Sequence, residues 1–212
     1  MKNEEAPFRD VLPVTIELGE KFFTLFKGLK KQLWGSDQVA FEKLRDVIDE
    51  IMKFYLAMNK ELSNFISMDF SNAKNKQENE KAFLEILGGS LKVRITDAQG
   101  HCKRIKRIYE EHLDKWLRKK LKDKEYFEIR NLFNSLSVYD DDMFEAASNL
   151  EKDLKEKSKL IIDFLGKKEI KNVLQAQVNN RKQYLPDLIK LGNVMSHLVE
   201  LRNNFMEMSK TS

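Results

Sequence analysis

Side chains suited to acid–base or metal chemistry are few in this 212-residue chain: three histidines, His101, His112 and His197, and one cysteine, Cys102. None of the histidines belongs to a HExxH pair, the spacing that sets two imidazoles one turn apart on a helix. Cys102 adjoins His101, and helical neighbours point about 100° apart, so the two do not converge on one ion. With no CxxC and no second cysteine, a zinc site lacks donors. No ExxH motif stands on any helix, as a di-iron bundle would require. The run Asp140, Asp141, Asp142 lacks the later glycine and glutamate of a calcium loop, whereas Asp142 and Glu145 have the spacing of a capping box. The glycine-rich phosphate loops and the nucleophile elbow are also absent, and Gly88-Gly89 is read as a helix end. No metal, no cofactor and no small-molecule substrate is inferred.

One pairing does carry a chemical hypothesis. Arg107 and His112 are separated by four residues, Ile-Tyr-Glu-Glu. In this spacing the segment resembles HEPN-type RNases, which are helical, although Ile108 stands where that family often has a polar residue. The resemblance implies that His112 acts as general base and Arg107 holds phosphate, in a site completed across a dimer. The alternative reading places His112 at the edge of a core beside Trp116.

Around that pair the chain is basic. Between Lys92 and Lys124 there are twelve Lys and Arg against five Asp and Glu, whereas the formal charge of the whole chain is only +4. Lys103, Arg104, Lys106, Arg107, Lys115, Arg118, Lys119 and Lys120 surround a broad face made by Ile105, Ile108, Tyr109, His112, Trp116 and Leu117, which describes a polybasic amphipathic helix. Such a helix is a solvated face, a contact for an anionic membrane, or a contact for nucleic acid. These eight cations are the candidate partner- or anion-binding residues.

The elements that must position them are helical. Hydrophobic residues make 42% of the chain and charged residues 34%, with 8 glycines and 3 prolines, so turn punctuation is rare. A first helix is expected from Pro13 towards Trp34, closed by Gly35, with Ser36-Asp37 capping the next. There Phe41, Leu44, Ile48, Ile51, Tyr55, Met58, Leu62 and Phe65 recur at intervals of 3, 4, 3, 4, 3, 4 and 3. This is a heptad seam that demands a partner rod in the same chain or another. Residues 71–79 lack apolar side chains and mark the best internal boundary. A short helix follows through Phe83 to Leu87. Beyond it, Thr96 and Gln99 have capping-box spacing, while Leu91 to Ile95 alternates like a strand. After the basic helix, a shorter helix spans Tyr126 to Leu136. Met143, Ala147, Leu150, Leu154, Lys157, Ile161 and Phe164 then form a second seam ended by Gly166. The final stretch is expected to break or kink at Pro186, beyond which Leu188, Leu191, Met195, Leu198, Leu201 and Phe205 form another stripe.

These features predict an all-α protein: an elongated antiparallel bundle of about five to seven helices with heptad-like seams, one helical domain over 1–212 with a flexible segment at 1–12. The single cysteine, the acidic N-terminus and the lack of an apolar run of roughly 18–20 residues point to the cytoplasm. The expected function is a non-catalytic interaction or scaffold protein, able to self-associate, with a basic face and a protein partner. The RNase reading is its enzymatic alternative. A peripheral membrane module is the third, resembling BAR domains in general form because both have long helices with basic faces.

Overall fold

Asp37 starts the clearest rod. Its carboxylate accepts from the Val39 amide at 2.9 Å, satisfying one of the unpaired donors at a helix start. The helix it caps, α2 (Gln38–Ser67), buries all eight residues of the heptad seam from Phe41 to Phe65. The computed structural model describes residues 12–33, 37–69, 81, 83–84 and 100–211. The expectations for the N-terminal segment 1–11, the turn at Gly35, the boundary at 71–79, the helix end at Gly88-Gly89, the Thr96 cap and the Leu91–Ile95 alternation fall outside the described residues. Within them the protein is all-α, with no strand.

The other helices are α1 (Leu12–Leu33), α3 (His101–Ile108), α4 (Asp114–Lys120), α5 (Asp123–Gly166) and α6 (Ile170–Thr211). A π-helical turn, Tyr109–Leu113, joins α3 to α4 into one rod. At 1.5 Å per residue, α5 is about 66 Å long, so the bundle is elongated.

The partner that α2 demands is α6, and it lies in the same chain. Phe41 lies beside Phe205 (6.2 Å between centroids), Asp49 binds Arg202, Phe65 meets Tyr184 edge-on, and the Met68 carbonyl accepts from Gln177. Residue numbers fall along one helix as they rise along the other, so the pair is antiparallel. The same reasoning sets α1 parallel to α6, through Phe23 on His197 and Phe26 on Phe205. It sets α1 antiparallel to α5, through Phe22 on Phe133 and Gln32 to Glu125. Around this frame the described core is one contiguous cluster of apolar residues from every helix.

Three sequence expectations change in the structure. The helix at 126–136 does not stop before Asp142: α5 runs unbroken from Asp123 to Gly166, so Asp142 and Glu145 lie within it and cap nothing. Met143, Glu145, Ala146 and Ala147 favour helix just beyond the acidic run, and without glycine or proline nothing forces a stop. Pro186 likewise does not break α6, because it lies on an exposed side where the carbonyl it leaves unpaired is free to meet water. Gly166 does end α5, but the left-handed residue that turns the chain is Lys168, at φ 61°, held by the Glu169 amide donating to the Phe164 carbonyl at 2.9 Å.

The backbone of α1 comes close to its neighbours at Gly19, whose amide donates to the Tyr55 hydroxyl at 3.0 Å. A Cβ there would stand 2.4 Å from Val194 Cγ1 and 2.9 Å from the Tyr55 oxygen. Gly28, on the same helix, faces open space. The two glycines are therefore expected to respond oppositely to alanine. Gly28→Ala gains up to about 1 kcal/mol of helix propensity, whereas Gly19→Ala loses about 1–3 kcal/mol through overpacking. Urea unfolding midpoints that move in opposite directions confirm the packing, and a stabilising Gly19→Ala contradicts it.

Candidate functional site

The π turn organises the basic rod. Its geometry lets the Asp114 amide bond back to the Tyr109 carbonyl, five residues earlier, so these two side chains lie on the same side. There the Tyr109 hydroxyl donates to Asp114 Oδ1 at 2.6 Å, and Tyr126 of α5 donates to the same oxygen at 2.7 Å. Tyr109 also stacks on Phe133, with 4.2 Å between centroids. Burial, reinforced by the Asp114 carboxylate, pushes the Tyr109 phenol well above its usual range. Asp114 is held below the usual carboxylate range, first by the Tyr109 hydrogen bond and against the effect of burial, with help from Tyr126, Arg130 and Arg118. The extra residue of the turn rotates α4 by about 100° relative to α3. The basic side is consequently two offset patches rather than one straight stripe.

Lys103 and Arg107 form the first patch; Lys115, Arg118, Lys119 and Lys120 form the second, and all six are exposed. Lys103, Arg107, Lys115, Lys119 and Lys120 have no ion-pair partner among the described residues. Lys106 is half-buried and reaches Glu110 at 3.9 Å. Arg104 is directed elsewhere: its Nε donates to Glu50 Oε2 at 2.9 Å, which takes it out of the free basic set.

Glu50 is the centre of a second cluster. Lys53 reaches it at 2.5 Å, and the almost fully buried His101 shares Nδ1 between Glu50 and Arg104. One nitrogen cannot donate to the carboxylate and accept from the guanidinium at once, so these two short contacts belong to different tautomers. Burial alone raises the Glu50 carboxyl, but the hydrogen bonds from Lys53, His101 and Arg104 outweigh it and hold the group down at about 2. His101 is pushed below its usual value by burial and by the charges of Arg104 and Lys53, against the pull of Glu50.

Beside this cluster, α2, α3 and α6 enclose a cleft of about 670 Å³, lined by Met52, Leu56 and Ile108 and by charged groups that include Arg107. Its carboxylates are already matched: Asp46 by Lys43, Asp49 by Arg202, and Glu50 as above. His112 does not line it. His112 is exposed, 3.7 Å from Glu111, rather than at the core edge, and Trp116 packs on Phe41 instead. His197 stacks on Phe23 and contacts Glu20. Among the described residues no group of three or more His, Cys, Asp or Glu could hold a metal ion, and no helix is long and apolar enough to cross a membrane.

A third feature has no counterpart in the sequence reading. Twelve large apolar side chains are exposed among the described residues, and six of them, Ile170, Leu174, Val178, Leu185, Ile189 and Val199, stand on α6. At 3.6 residues per turn these six share an arc of about 100°, centred roughly 110° round the helix from Val173, Tyr184, Leu191 and Leu198. Ile170 and Ile189 are 53% and 56% exposed, values far from those of a core. Intervals of 4, 4, 7 and 4 from Ile170 to Ile189 carry the signal. A reading centred on Pro186 divides that stripe in two and overlooks it.

Compared with known protein families, with curated proteins and with solved structures, the chain matches none.

The Glu50 cluster generates a pH dependence. A carboxyl held at about 2 in the fold and near 4.5 when unfolded binds its proton more readily in the unfolded chain. Its contribution, at most about 3 kcal/mol, is therefore complete above pH 4.5 and lost as pH falls towards 2. His101, lowered below 6.5, acts in the same direction, beginning just below that pH. Denaturant titrations should show stability falling with acidification through both windows. Glu50→Gln is expected to flatten the lower one, and an unchanged slope in that variant contradicts the assignment.

Proposed function

We propose that this chain is a non-catalytic helical interaction protein that engages a protein partner along the outer face of α6. The observation that carries the reading is the six-residue apolar stripe on a surface otherwise rich in charge. Isolated exposed apolar residues are ordinary, but a contiguous patch of several hundred Å² marks an interaction site in a folded protein. The seam of α2 does not supply that face, since α6 already covers it within the chain.

A second reading has its own support. Among the described residues, five exposed cations of α3 and α4 lack ion-pair partners and Arg118 has the field of Asp114 beside it, so this side is fitted to an anionic surface, lipid or nucleic acid. Its binding is then expected to weaken steeply with salt, whereas association through the apolar stripe is not.

The two are separated by capture from the protein's own cell at low and high salt. Wild type is compared with Leu174→Asp/Val178→Asp and with a variant carrying Gln at Lys115, Lys119 and Lys120. The proposal expects a protein partner retained at high salt, lost at least tenfold in the stripe variant and kept by the glutamine variant. Capture indifferent to the stripe, or only salt-sensitive binding to anionic vesicles or RNA, overturns it. Incubation with RNA tests the enzymatic alternative: cleavage by wild type that is lost in His112→Ala contradicts a non-catalytic role.

A further inference from the structure

We infer that the partner on the outer face of α6 is a second copy of this chain, with the two α6 helices antiparallel and crossing near Leu185; this rests on the interaction reading above. The stripe continues through smaller residues. Between and beyond its apolar members, Arg181, Gly192 and Ser196 occupy the same arc, carrying the face from Ile170 to Val199, about 44 Å. Bulk is unevenly spaced along it: Ile170, Leu174 and Val178 follow one another turn by turn in the N-terminal half, whereas Gly192 and Ser196 interrupt the C-terminal half between Ile189 and Val199.

An antiparallel copy turned about Leu185 exploits that asymmetry. It sets Val178 opposite Gly192 and Leu174 opposite Ser196, large against small at both levels and, by symmetry, twice each. Gly192 is open, with nothing within 4 Å of where a Cβ would stand, so its bare backbone can receive the other copy's Val178. Ser196 suits an apolar contact because its hydroxyl already donates to the Gly192 carbonyl at 3.0 Å. Arg181 falls opposite Ile189. Its Nε donates to the Ile66 carbonyl at 2.8 Å, which leaves its aliphatic stem on the stripe.

Charge selects the same orientation. On one flank of the stripe Lys171 stands near the start and Glu200 near the end. In the antiparallel arrangement these opposite charges meet across the contact; Glu200 also lies 3.5 Å from Lys27 of its own chain. A parallel copy would put the Lys171 and Glu200 flanks on opposite sides of the contact, and would set Leu174 against Leu174 and Gly192 against Gly192, crowding one level and leaving a gap at another. The stripe's length and a helix diameter of about 10–12 Å give a contact near the low end of specific interfaces, so the dimer is weak and reversible, with micromolar dissociation.

Sedimentation velocity of the full chain from about 1 to 300 μM, with far-ultraviolet circular dichroism as a folding control, tests this. Wild type is expected to pass from one chain to two across that range. Leu185→Glu, which faces itself across the contact, should weaken the dimer at least tenfold with an unchanged spectrum. Cysteine pairing tests the register without relying on that variant. Leu185→Cys should oxidise to a linked dimer, and Leu174→Cys mixed with Ser196→Cys should link between chains, while Leu174→Cys alone should not. A monomer throughout, a dimer indifferent to Leu185→Glu, or self-linking of Leu174→Cys overturns the inference. A monomer whose capture of a different protein still depends on the stripe removes the self-pairing and leaves the interaction reading standing; a monomer with stripe-independent capture removes both.

Discussion

The apolar seam between α2 and α6 is the contact on which the rest of the molecule depends. Phe41, Leu44, Ile48, Ile51, Tyr55, Met58, Leu62 and Phe65 are all buried, and α6 answers with Tyr184, Leu191, Val194, Leu198, Leu201 and Phe205. Burying a large apolar side chain contributes about 1.5–3 kcal/mol, so this seam outweighs any single polar contact in the structure. It also fixes direction. With α2 and α6 antiparallel, α1 runs parallel to α6 through Phe23 on His197 and Phe26 on Phe205, Gly19 reaches both Tyr55 and Val194, and the N-terminal part of α5 closes the other side of α1 through Phe133.

The polar clusters do a different job. Each ties one rod to another at a single level: Glu50 of α2 to His101 and Arg104 of α3, Asp114 of α4 to Tyr126 of α5, and Asp153 of α5 to Tyr184 of α6. Apolar seams alone permit a rod to slide by a turn. A carboxylate with two or three donors in a half-buried site does not, because slipping leaves it unpaired at a cost of about 1–3 kcal/mol or more. The π turn belongs to the same logic: it turns Tyr109 and Asp114 to one side, and the offset of the two basic patches follows from it.

Much of the fold was legible from local pattern. The α2 seam, the Asp37 cap and the end of α5 at Gly166 all depend on residues within a few turns of one another. What was not legible depends on distant groups. The π turn is stabilised by Tyr126 and Phe133 on another helix, and no spacing within 101–120 announces it. Arg104 read as one more surface cation until Glu50, 54 residues earlier, claimed it. The acidic run at Asp140 to Asp142 and Pro186 both look like punctuation, yet the absence of glycine and proline at the first and the exposed setting of the second let the helices continue. Of the candidate cations six are exposed, in two patches that the π turn offsets from the single stripe expected of one regular helix. The α6 stripe was missed because the core-facing stripe of the same helix dominated the pattern, and only the burial of the second could show that the first was left outside.

The antiparallel pairing of α2 and α6 within one chain is tested most directly by a distance. Spin labels at the exposed positions Val39 and Asn203, in chains diluted with excess unlabelled protein, should report a separation below about 25 Å, as helices packed 8–10 Å apart require. The separation should not change with dilution. A distance beyond about 40 Å, or a short one that vanishes as unlabelled chain is added, would show that the seam of α2 is closed by another molecule, and the exposed face of α6 would then have to be assigned anew.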